Sequence, residues 1–292
     1  MCPPCSEPAQ DVANGARLPV PWGVENRAKA ATNGAAEGFQ MKANEYDTLH
    51  SMEDVHWWYL GHRRLYRLLL DRHCPAQARG DVLDAGCGTG GFTQWLRDSY
   101  HPRRLAALDV SEEALRRCRE RGLRELHHGP VEELPFPDAS FDLVLSLNVI
   151  YHREVRDDLA ALREMARVLA PGGCLLLNLP ALEFLRGGHD LAVGGARRYR
   201  RSQILEMLQH AALEPVKVTY FVFALLPPIA AFRIASRKAT EEDAVSDLRL
   251  PPRPLNRSLA GLLALEARVA AGPGLPLGSS LTVLARLPAR PV

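Results

Sequence analysis

Apolar and polar positions divide the chain into short apolar runs and longer amphipathic segments, which alternate over most of its length. The amphipathic segments repeat every three to four residues, the period of a helix, and the short runs have the length of strands. Runs predicted as strands lie at residues 81–85, 105–110, 125–128, 141–147, 174–179, 216–223 and 279–286. Helices are predicted at 91–99, 111–121, 156–169, 202–212, 225–237 and 255–271. This alternation predicts an α/β fold with a doubly wound, mostly parallel, seven-stranded sheet.

The two flanks of this region differ from it. Residues 1–44 are rich in Pro, Gly, Ala and Asn without a sustained apolar period, which predicts a disordered tail. Aromatic and aliphatic residues at helical spacing then predict one or two N-terminal helices that form a lid. The expected domain, residues 45–292, consists of these helices at 45–75, a core at 80–180, and a second half at 181–292 with a helical insertion at about 225–272 before the last strand.

Composition and charge narrow the class of protein. The net charge is +2 and the basic residues are spread along the chain, which disfavours a nucleic-acid partner. The first twenty residues lack the apolar segment of a signal peptide and no run is long enough for a membrane span, so we expect a cytoplasmic protein. The apolar stretch Tyr220–Phe232 leaves peripheral contact with a membrane open. The cysteines, histidines and acids show no metal-ligand spacing, and we expect no metal.

A glycine-rich turn after the first predicted strand has the strongest chemical signal. Residues 82–91 read Val-Leu-Asp-Ala-Gly-Cys-Gly-Thr-Gly-Gly and lead into a predicted helix. Glycine permits a tight turn and lets a ligand approach the backbone, and the helix N-terminus offers N–H groups to an anionic part of that ligand. Asp109 ends the second strand, where an acid can accept hydrogen bonds from both hydroxyls of a ribose. No Gly-Lys-Ser/Thr follows, which excludes a P-loop.

This turn resembles motif I of the class I S-adenosylmethionine-dependent methyltransferases, which reads D-x-G-C-G-x-G. Further segments resemble later motifs of that family in the same order: Leu108–Ser111, Gly129–Phe136, Phe141–Val144 and Arg167–Gly173. Five motifs in one order are far more specific than any one of them. The resemblance covers residues 81–180 strongly and implies a Rossmann-like fold, methyl transfer as the activity and S-adenosyl-L-methionine as the cofactor.

The resemblance also implies which residues bind the cofactor. Asp109 would hold the ribose, and Val131 would offer its backbone N–H to the adenine ring. Pro130 stands where relatives often have an acid, which leaves the adenine to backbone contacts and packing, or to Glu132. The residues implied for the cofactor are Asp84, Gly86, Cys87, Gly88, Asp109, Val110, Val131, Glu132 and Asn148.

The flanks resemble a narrower bacterial subgroup that shares a "H-W-W-Y" segment and a "G-H-D … R-R-Y" segment. The first is His56–Tyr59 here, and the second is Gly188–Asp190 with Arg197–Tyr199. Its aromatic residues would form a lid over the site, or they would belong to the core beneath the N-terminal helices. The residues predicted for the lid or the acceptor are Trp57, Trp58, Tyr59, Tyr151, Arg198 and Tyr199.

Two histidines are candidates for a general base, because an unperturbed histidine titrates near neutral pH. His152 follows the fourth strand, the edge of the pocket where chemistry occurs in this family, and its alternative role is to anchor that loop. His189 lies beside Asp190 after the fifth strand. From the sequence alone, the role of general base is a hypothesis for either histidine.

The function predicted from these observations is methyl transfer to a small-molecule acceptor in bacterial small-molecule biosynthesis. The activated cofactor needs only an acceptor positioned in line with its methyl group and protected from water. Two alternatives stay open. The apolar stretch Tyr220–Ile234 favours a lipid-linked or macromolecular acceptor, and a non-catalytic protein that keeps the cofactor pocket as a scaffold is the other.

Overall fold

The helices and strands lie close to the positions that the apolar pattern predicts. The computed structural model describes residues 43–235 and 249–289, without the side chains of residues 43–45, 189, 234 and 235. The described helices are α1 (Ala43–Met52), α2 (Trp57–His73), α3 (Gly91–Tyr100), α4 (Glu112–Glu120), α5 (Asp158–Val168), α6 (Gly188–Ala192), α7 (Arg201–His210), α8 (Leu226–Ala235) and α9 (Arg253–Ala271). The strands are β1 (Asp81–Ala85), β2 (Arg104–Asp109), β3 (Glu125–His128), β4 (Phe141–Leu147), β5 (Leu169–Pro180), β6 (Glu214–Phe221) and β7 (Ser280–Arg286).

The strands form one seven-stranded sheet in the order β3-β2-β1-β4-β5-β7-β6. β1 to β5 pair in parallel, and β7 runs antiparallel to both β5 and β6. This confirms the predicted Rossmann-like, mostly parallel sheet. The strand order reverses between β1 and β4, because the chain winds outward from β1 in one direction and from β4 in the other. In sheets of this kind, ligands bind in the crevice at the carboxyl ends of those two strands.

Apolar side chains cover both faces of the sheet, which is why its central strands have nearly continuous apolar sequences. On one face Tyr66 and Leu96 pack with Leu263, which belongs to α9. On the other face Leu162 and Ile204 pack against the same strands. Because helices cover both faces, a ligand reaches these strands at their ends and not across the faces of the sheet.

The N-terminal helices and the insertion between β6 and β7 are joined to each other. Gly61 lets α2 and α9 approach closely, because a Cβ at this position would lie 2.5 Å from Cδ1 of Leu263. The side chain of Asn256 accepts a hydrogen bond from the N–H of Trp57 at 2.9 Å. It also donates to the carbonyl of Val55 at 2.7 Å. These contacts fix the start of α2 against the insertion.

Most predicted boundaries lie within two residues of the observed ones, and three of the differences have a local physical reason. The helix predicted at 202–212 begins at Arg201, and the side chain of Gln203 accepts the N–H of Arg200 at 2.9 Å. The strand predicted from residue 174 begins at Leu169, because Leu169 already pairs with Phe141 before a register shift. The strand predicted at 216–223 lies two residues earlier, and Pro215 is tolerated there because β6 is at the sheet edge.

The prediction of a tail at residues 1–44 falls almost wholly outside the described residues, which begin inside it at the start of α1. Over residues 43–235 and 249–289, no helix has the length and apolar character needed to cross a bilayer.

Candidate cofactor and acceptor site

A cavity of about 1090 Å³ opens at the carboxyl ends of β1 and β4. It therefore lies at the point where the strand order reverses. All nine residues predicted for the cofactor line it. Sites for single small molecules usually measure about 300–1,000 Å³. The cavity is thus at the upper limit of that range, which suits a ligand as large as a nucleotide-sized cofactor.

The turn after β1 is shaped by positive φ angles and a close contact. Gly86 has φ +90°, and a Cβ there would lie 2.3 Å from a methyl carbon of Val149, in the loop after β4. The N–H of Gly86 donates to the carbonyl of Leu108 at 2.8 Å, which ties the turn to β2. At Gly88, with φ +53°, a Cβ would meet no atom within 4 Å. The backbone at Gly88 therefore faces open space in which a ligand can approach it.

The carboxylate of Asp109 is held by backbone groups on both sides. Its Oδ2 accepts the N–H of Gly88 at 2.8 Å, and its Oδ1 accepts the N–H of Ser111 at 2.9 Å. Burial raises the pKa of Asp109, while the backbone hydrogen bonds, including one from Val110, oppose that rise. A carboxylate offers about four acceptor positions, so acceptor capacity is left for a ligand hydroxyl.

Asp84 lies beneath the turn and is almost fully buried. The hydroxyl of Thr93 donates to its Oδ2 at 2.5 Å. Burial raises the pKa of Asp84 to about 7, and the nearby carboxylates of Asp109 and Glu53 add to the rise against the effect of Thr93. The carboxyl group therefore titrates near neutral pH, and a cationic ligand would favour its ionised form.

Glu53 reaches the glycine turn from the segment between α1 and α2, a contact that the sequence reasoning missed. Its Oε2 accepts the Thr89 hydroxyl at 2.6 Å and pairs with Arg121 at 3.0 Å. A Cβ at Gly91 would lie 2.5 Å from this side chain. The only available signal was the position of Glu53, three residues before the "H-W-W-Y" segment. The N-terminal helices are thus bonded to the turn itself.

The three aromatic residues predicted for the lid all line the cavity, and they also pack on the core. The Trp58 ring lies 3.8 Å from the ring of His62, and the Tyr59 ring lies 5.7 Å from that of Phe92. The same three residues therefore form a wall of the cavity and pack on the core. The sequence had left these two roles as alternatives. That the segment moves as a lid stays a prediction.

Asn148 is fixed at the edge of the cavity by a chain of polar side chains across β5 and β7. It has φ +58°, a conformation that asparagine tolerates better than most residues. Its N–H donates to the carbonyl of Asn178 at 2.8 Å, and its Oδ1 accepts from Asn178 at 3.1 Å. The Thr282 hydroxyl completes the chain by donating to Asn178 at 2.7 Å.

His152 lines the cavity but has the surroundings of an anchoring residue. Burial lowers its pKa to about 4, and hydrogen bonds with the backbone of Asn148 and Val193 only partly oppose this effect. The imidazole is neutral at pH 7 and a weak base, which favours the loop-anchoring role. His189 lies in α6, and its side chain is outside the described part of the structure.

The residues predicted for the acceptor separate into two groups. Tyr151 and Arg198 line the cavity. Tyr199 is not among the lining residues, and its role at the acceptor stays a prediction. The residue is 3% exposed, and its hydroxyl lies within hydrogen-bond distance of the carbonyl of Ile150, at 3.2 Å, and of the Asp158 carboxylate, at 3.0 Å. The tyrosine therefore fastens the loop after β4 to α5.

The order of the strands, the glycine-rich turn and the acid at the end of β2 together define an α/β domain that binds a nucleotide cofactor. Comparison with known proteins assigns that domain to a family. A family model described as a methyltransferase domain matches residues 83–177. Residues 83–177 therefore form a methyltransferase domain of the class I S-adenosylmethionine-dependent superfamily, whose cofactor is S-adenosylmethionine.

Individual relatives match parts of the chain. A probable S-adenosylmethionine-dependent methyltransferase of Mycolicibacterium smegmatis is 33% identical over 179 residues, 60% of this chain and 66% of that protein. The fatty-acid O-methyltransferase of the same organism is 40% identical over 118 residues, 38% of this chain and 42% of that protein. The chain thus spans less than two thirds of the length of these relatives.

Among solved structures, a Thermotoga maritima protein described as an S-adenosylmethionine-dependent methyltransferase has the same fold. Its TM-score is 0.54 at 19% identity, over 84% of this chain and 95% of that one. At this identity the likeness concerns the fold alone.

We expect replacement of Asp109 by Ala to weaken binding of S-adenosylmethionine by about 5- to 150-fold. Ribose hydroxyls would lose a buried acceptor, a loss of roughly 1–3 kcal/mol. Glu112→Ala is the matched control, because Glu112 is an exposed acid close by that is not among the lining residues. Calorimetric titration of both variants measures the effect. Equal affinity of Asp109→Ala and the unmodified protein would contradict the ribose role.

Proposed function

We propose that this chain transfers a methyl group from S-adenosylmethionine to a small-molecule acceptor. The observation that supports the proposal most strongly is the single cavity that all nine predicted cofactor residues line. Its volume of about 1090 Å³ lies at the upper limit of the range usual for a site of one ligand. A methyltransferase needs a large cavity, because donor and acceptor must be bound side by side.

The residues around the glycine turn fit the cofactor in shape and charge. The open backbone at Gly88 admits a bulky group, and the carboxylate of Asp109 has capacity for ribose hydroxyls. Asp84 and Glu53 add acidic groups near the turn, which suits a cofactor with a sulfonium and an ammonium group. The cofactor itself supplies an activated methyl group. The protein then has to bind the cofactor and the acceptor, orient them and exclude water.

The walls of the cavity support the exclusion of water. Trp57, Trp58 and Tyr59 close one side from α2, and Leu259 contributes from α9. The bonds from Asn256 to the start of α2 hold these two walls together. A dry, closed site strengthens every electrostatic interaction inside it and keeps the acceptor in one orientation.

A lipid-type acceptor is the second candidate, and the wall formed by α8 favours it. Leu225, Pro228, Ile229 and Phe232 line the cavity, and Phe232 is 58% exposed at its mouth. The relative named fatty-acid O-methyltransferase acts on a molecule with an apolar chain. A small molecule with an apolar tail would belong to both proposed acceptor classes.

We expect cofactor affinity to increase between pH 5.5 and 7, by up to about tenfold. The pKa of Asp84 lies at about 7, so the carboxyl is mostly protonated at pH 5.5 and half ionised at pH 7. A bound cation favours the ionised form, and binding at pH 6.5 therefore releases protons. The amino group of the cofactor titrates above this range. Calorimetry in buffers with different ionisation enthalpies measures the protons released.

The variant Asp84→Asn should lose this dependence on pH. Asp81→Asn should keep it, because Asp81 lies at the other end of β1, outside the cavity lining. A flat affinity of the unmodified protein over this range would show that Asp84 does not sense the charge of the cofactor.

The proposed activity is tested by the acceptor-dependent formation of S-adenosylhomocysteine. Purified protein is incubated with S-adenosylmethionine and panels of phenols, amines and carboxylic acids, and the product is quantified by mass spectrometry. We expect at least one class to raise the rate above the background without acceptor. Tight cofactor binding with no turnover on any class would instead favour the non-catalytic scaffold.

A further inference from the structure

The last helix of the insertion, α9, has apolar residues on two sides. Leu263, Ala267 and Ala270 are fully buried in the cluster that contains Tyr66 of α2. Four other aliphatic side chains of α9 are between 38% and 60% exposed, and we call them the outer stripe: Leu255, Leu262, Leu265 and Val269. Their spacing of seven, three and four residues places them along one line of the helix surface. Apolar residues that are exposed together in this way indicate a contact surface.

The charged residues of α9 are unevenly distributed around the helix. Its three arginines, Arg253, Arg257 and Arg268, are exposed, and none of them forms an ion pair with an acid in the part of the chain that the structure describes. Arg268 follows Leu265 by three residues, so the two side chains are neighbours on the helix surface. The one acid of α9, Glu266, is 8% exposed, and its carboxylate accepts two backbone N–H groups from the segment before α8, at 2.8 and 2.9 Å. The exposed part of α9 therefore has positive charges alone.

The neighbouring end of α2 does not change this balance of charge. A shallow groove between the two helices is lined by Arg268 together with Asp71 and Arg72, whose charges are opposite. Asp71 also accepts the hydroxyl of Tyr100, at 2.9 Å. The exposed arginines of α9 thus add to a neutral pair.

The outer stripe lies beside the mouth of the cavity. Leu259 lines the cavity, and on the same helix it lies four residues after Leu255 and three before Leu262. From α8, Phe232 also lines the cavity, and it is 58% exposed. A surface that contacts the outer stripe would therefore lie close to the opening of the cavity.

The charges favour one class of partner for the outer stripe. Aliphatic side chains with arginines beside them are the pattern by which an amphipathic helix binds the interface of an anionic bilayer. Arginines can reach the phosphate groups while the aliphatic side chains enter the acyl region. A second copy of the chain fits less well, because the arginines of both copies would meet without an exposed acid of α9 to pair with them.

We propose that α9 docks this protein on an anionic lipid bilayer. The helix lies in the plane of the interface, the outer stripe enters the acyl region, and Arg257 and Arg268 bind the phosphate groups. Docking would bring the mouth of the cavity next to the lipid, a position that suits an acceptor with an apolar chain. The docking itself does not depend on the proposed activity.

The test measures how the purified full chain partitions between buffer and vesicles in a flotation assay. Vesicles of phosphatidylcholine alone are compared with vesicles that also contain phosphatidylglycerol. We expect binding to the mixed vesicles and at least about tenfold weaker binding to phosphatidylcholine alone, because each arginine near an anionic surface strengthens binding about fivefold. Added salt should weaken the binding, since it screens the phosphates. Absence of binding by the folded protein, or equal binding to both kinds of vesicle, would overturn the proposal.

Variants of the outer stripe test the apolar part of the contact. Leu262→Gln combined with Leu265→Gln should abolish binding to the mixed vesicles, because the amides would have to leave water. Leu262→Met combined with Leu265→Met is the matched control and should bind as the unmodified protein does. The thermal unfolding and the affinity for S-adenosylhomocysteine should be unchanged in both, since the two positions are exposed. Full binding by the glutamine variant would overturn the proposal.

A pair of arginine variants tests the electrostatic part. Arg257→Gln combined with Arg268→Gln should weaken binding to the mixed vesicles about 25-fold. Arg156→Gln combined with Arg163→Gln removes the same charge from exposed positions at α5, which packs on the opposite face of the sheet, and should have no effect. Equal weakening by the two double variants would show that net charge alone governs binding, and the assignment to α9 would be wrong.

The oligomeric state without vesicles distinguishes a bilayer from a second copy of the chain. Sedimentation velocity should give the same state for the unmodified protein and for the glutamine variant of the outer stripe. An assembly that this variant alone loses would show that the outer stripe joins two copies, and it would overturn the proposal.

Discussion

The chain leaving β1 passes so close to the loop after β4 that no side chain fits between them at position 86. This contact, between the backbone of Gly86 and the side chain of Val149, brings the ends of the two central strands together. It also directs the next residues into the turn that faces the cavity. The hydrogen bond from the N–H of Gly86 to the carbonyl of Leu108 joins β2 to the same point. The cofactor contacts proposed for the glycine-rich turn, Asp109 and Asn148 depend on this junction of β1, β2 and β4.

A second set of bonds connects that junction to the walls of the cavity. Glu53 joins the segment before α2 to Thr89 and Arg121 beside the turn, with side chains almost wholly buried. Asn256 joins the start of α2 to α9. The turn, the N-terminal helices and the late insertion therefore form one continuous structure. Displacement of the N-terminal segment would expose Glu53 and the turn together, because they share hydrogen bonds.

The sequence predicted the strands and the glycine turn well because both depend on local patterns. β1 and β4 are apolar runs of strand length, and Gly86 and Gly88 occupy positive φ angles that favour glycine. Contacts between segments that are distant in the sequence could not be predicted from such local patterns. Nothing local distinguishes Tyr199, which is buried on Asp158, from Arg198, which lines the cavity. The bond between Glu53 and Thr89 likewise depends on tertiary packing.

Whether the junction of β1, β2 and β4 forms a cofactor site is measured by calorimetric titration of the folded, purified protein with S-adenosylmethionine. S-adenosylhomocysteine serves as the second ligand, because it shares the nucleoside and amino-acid parts and lacks the methyl group. We expect one site per chain for both ligands, with dissociation constants in the micromolar range. The absence of binding by both ligands, in protein whose cooperative thermal unfolding proves that it is folded, would contradict this expectation.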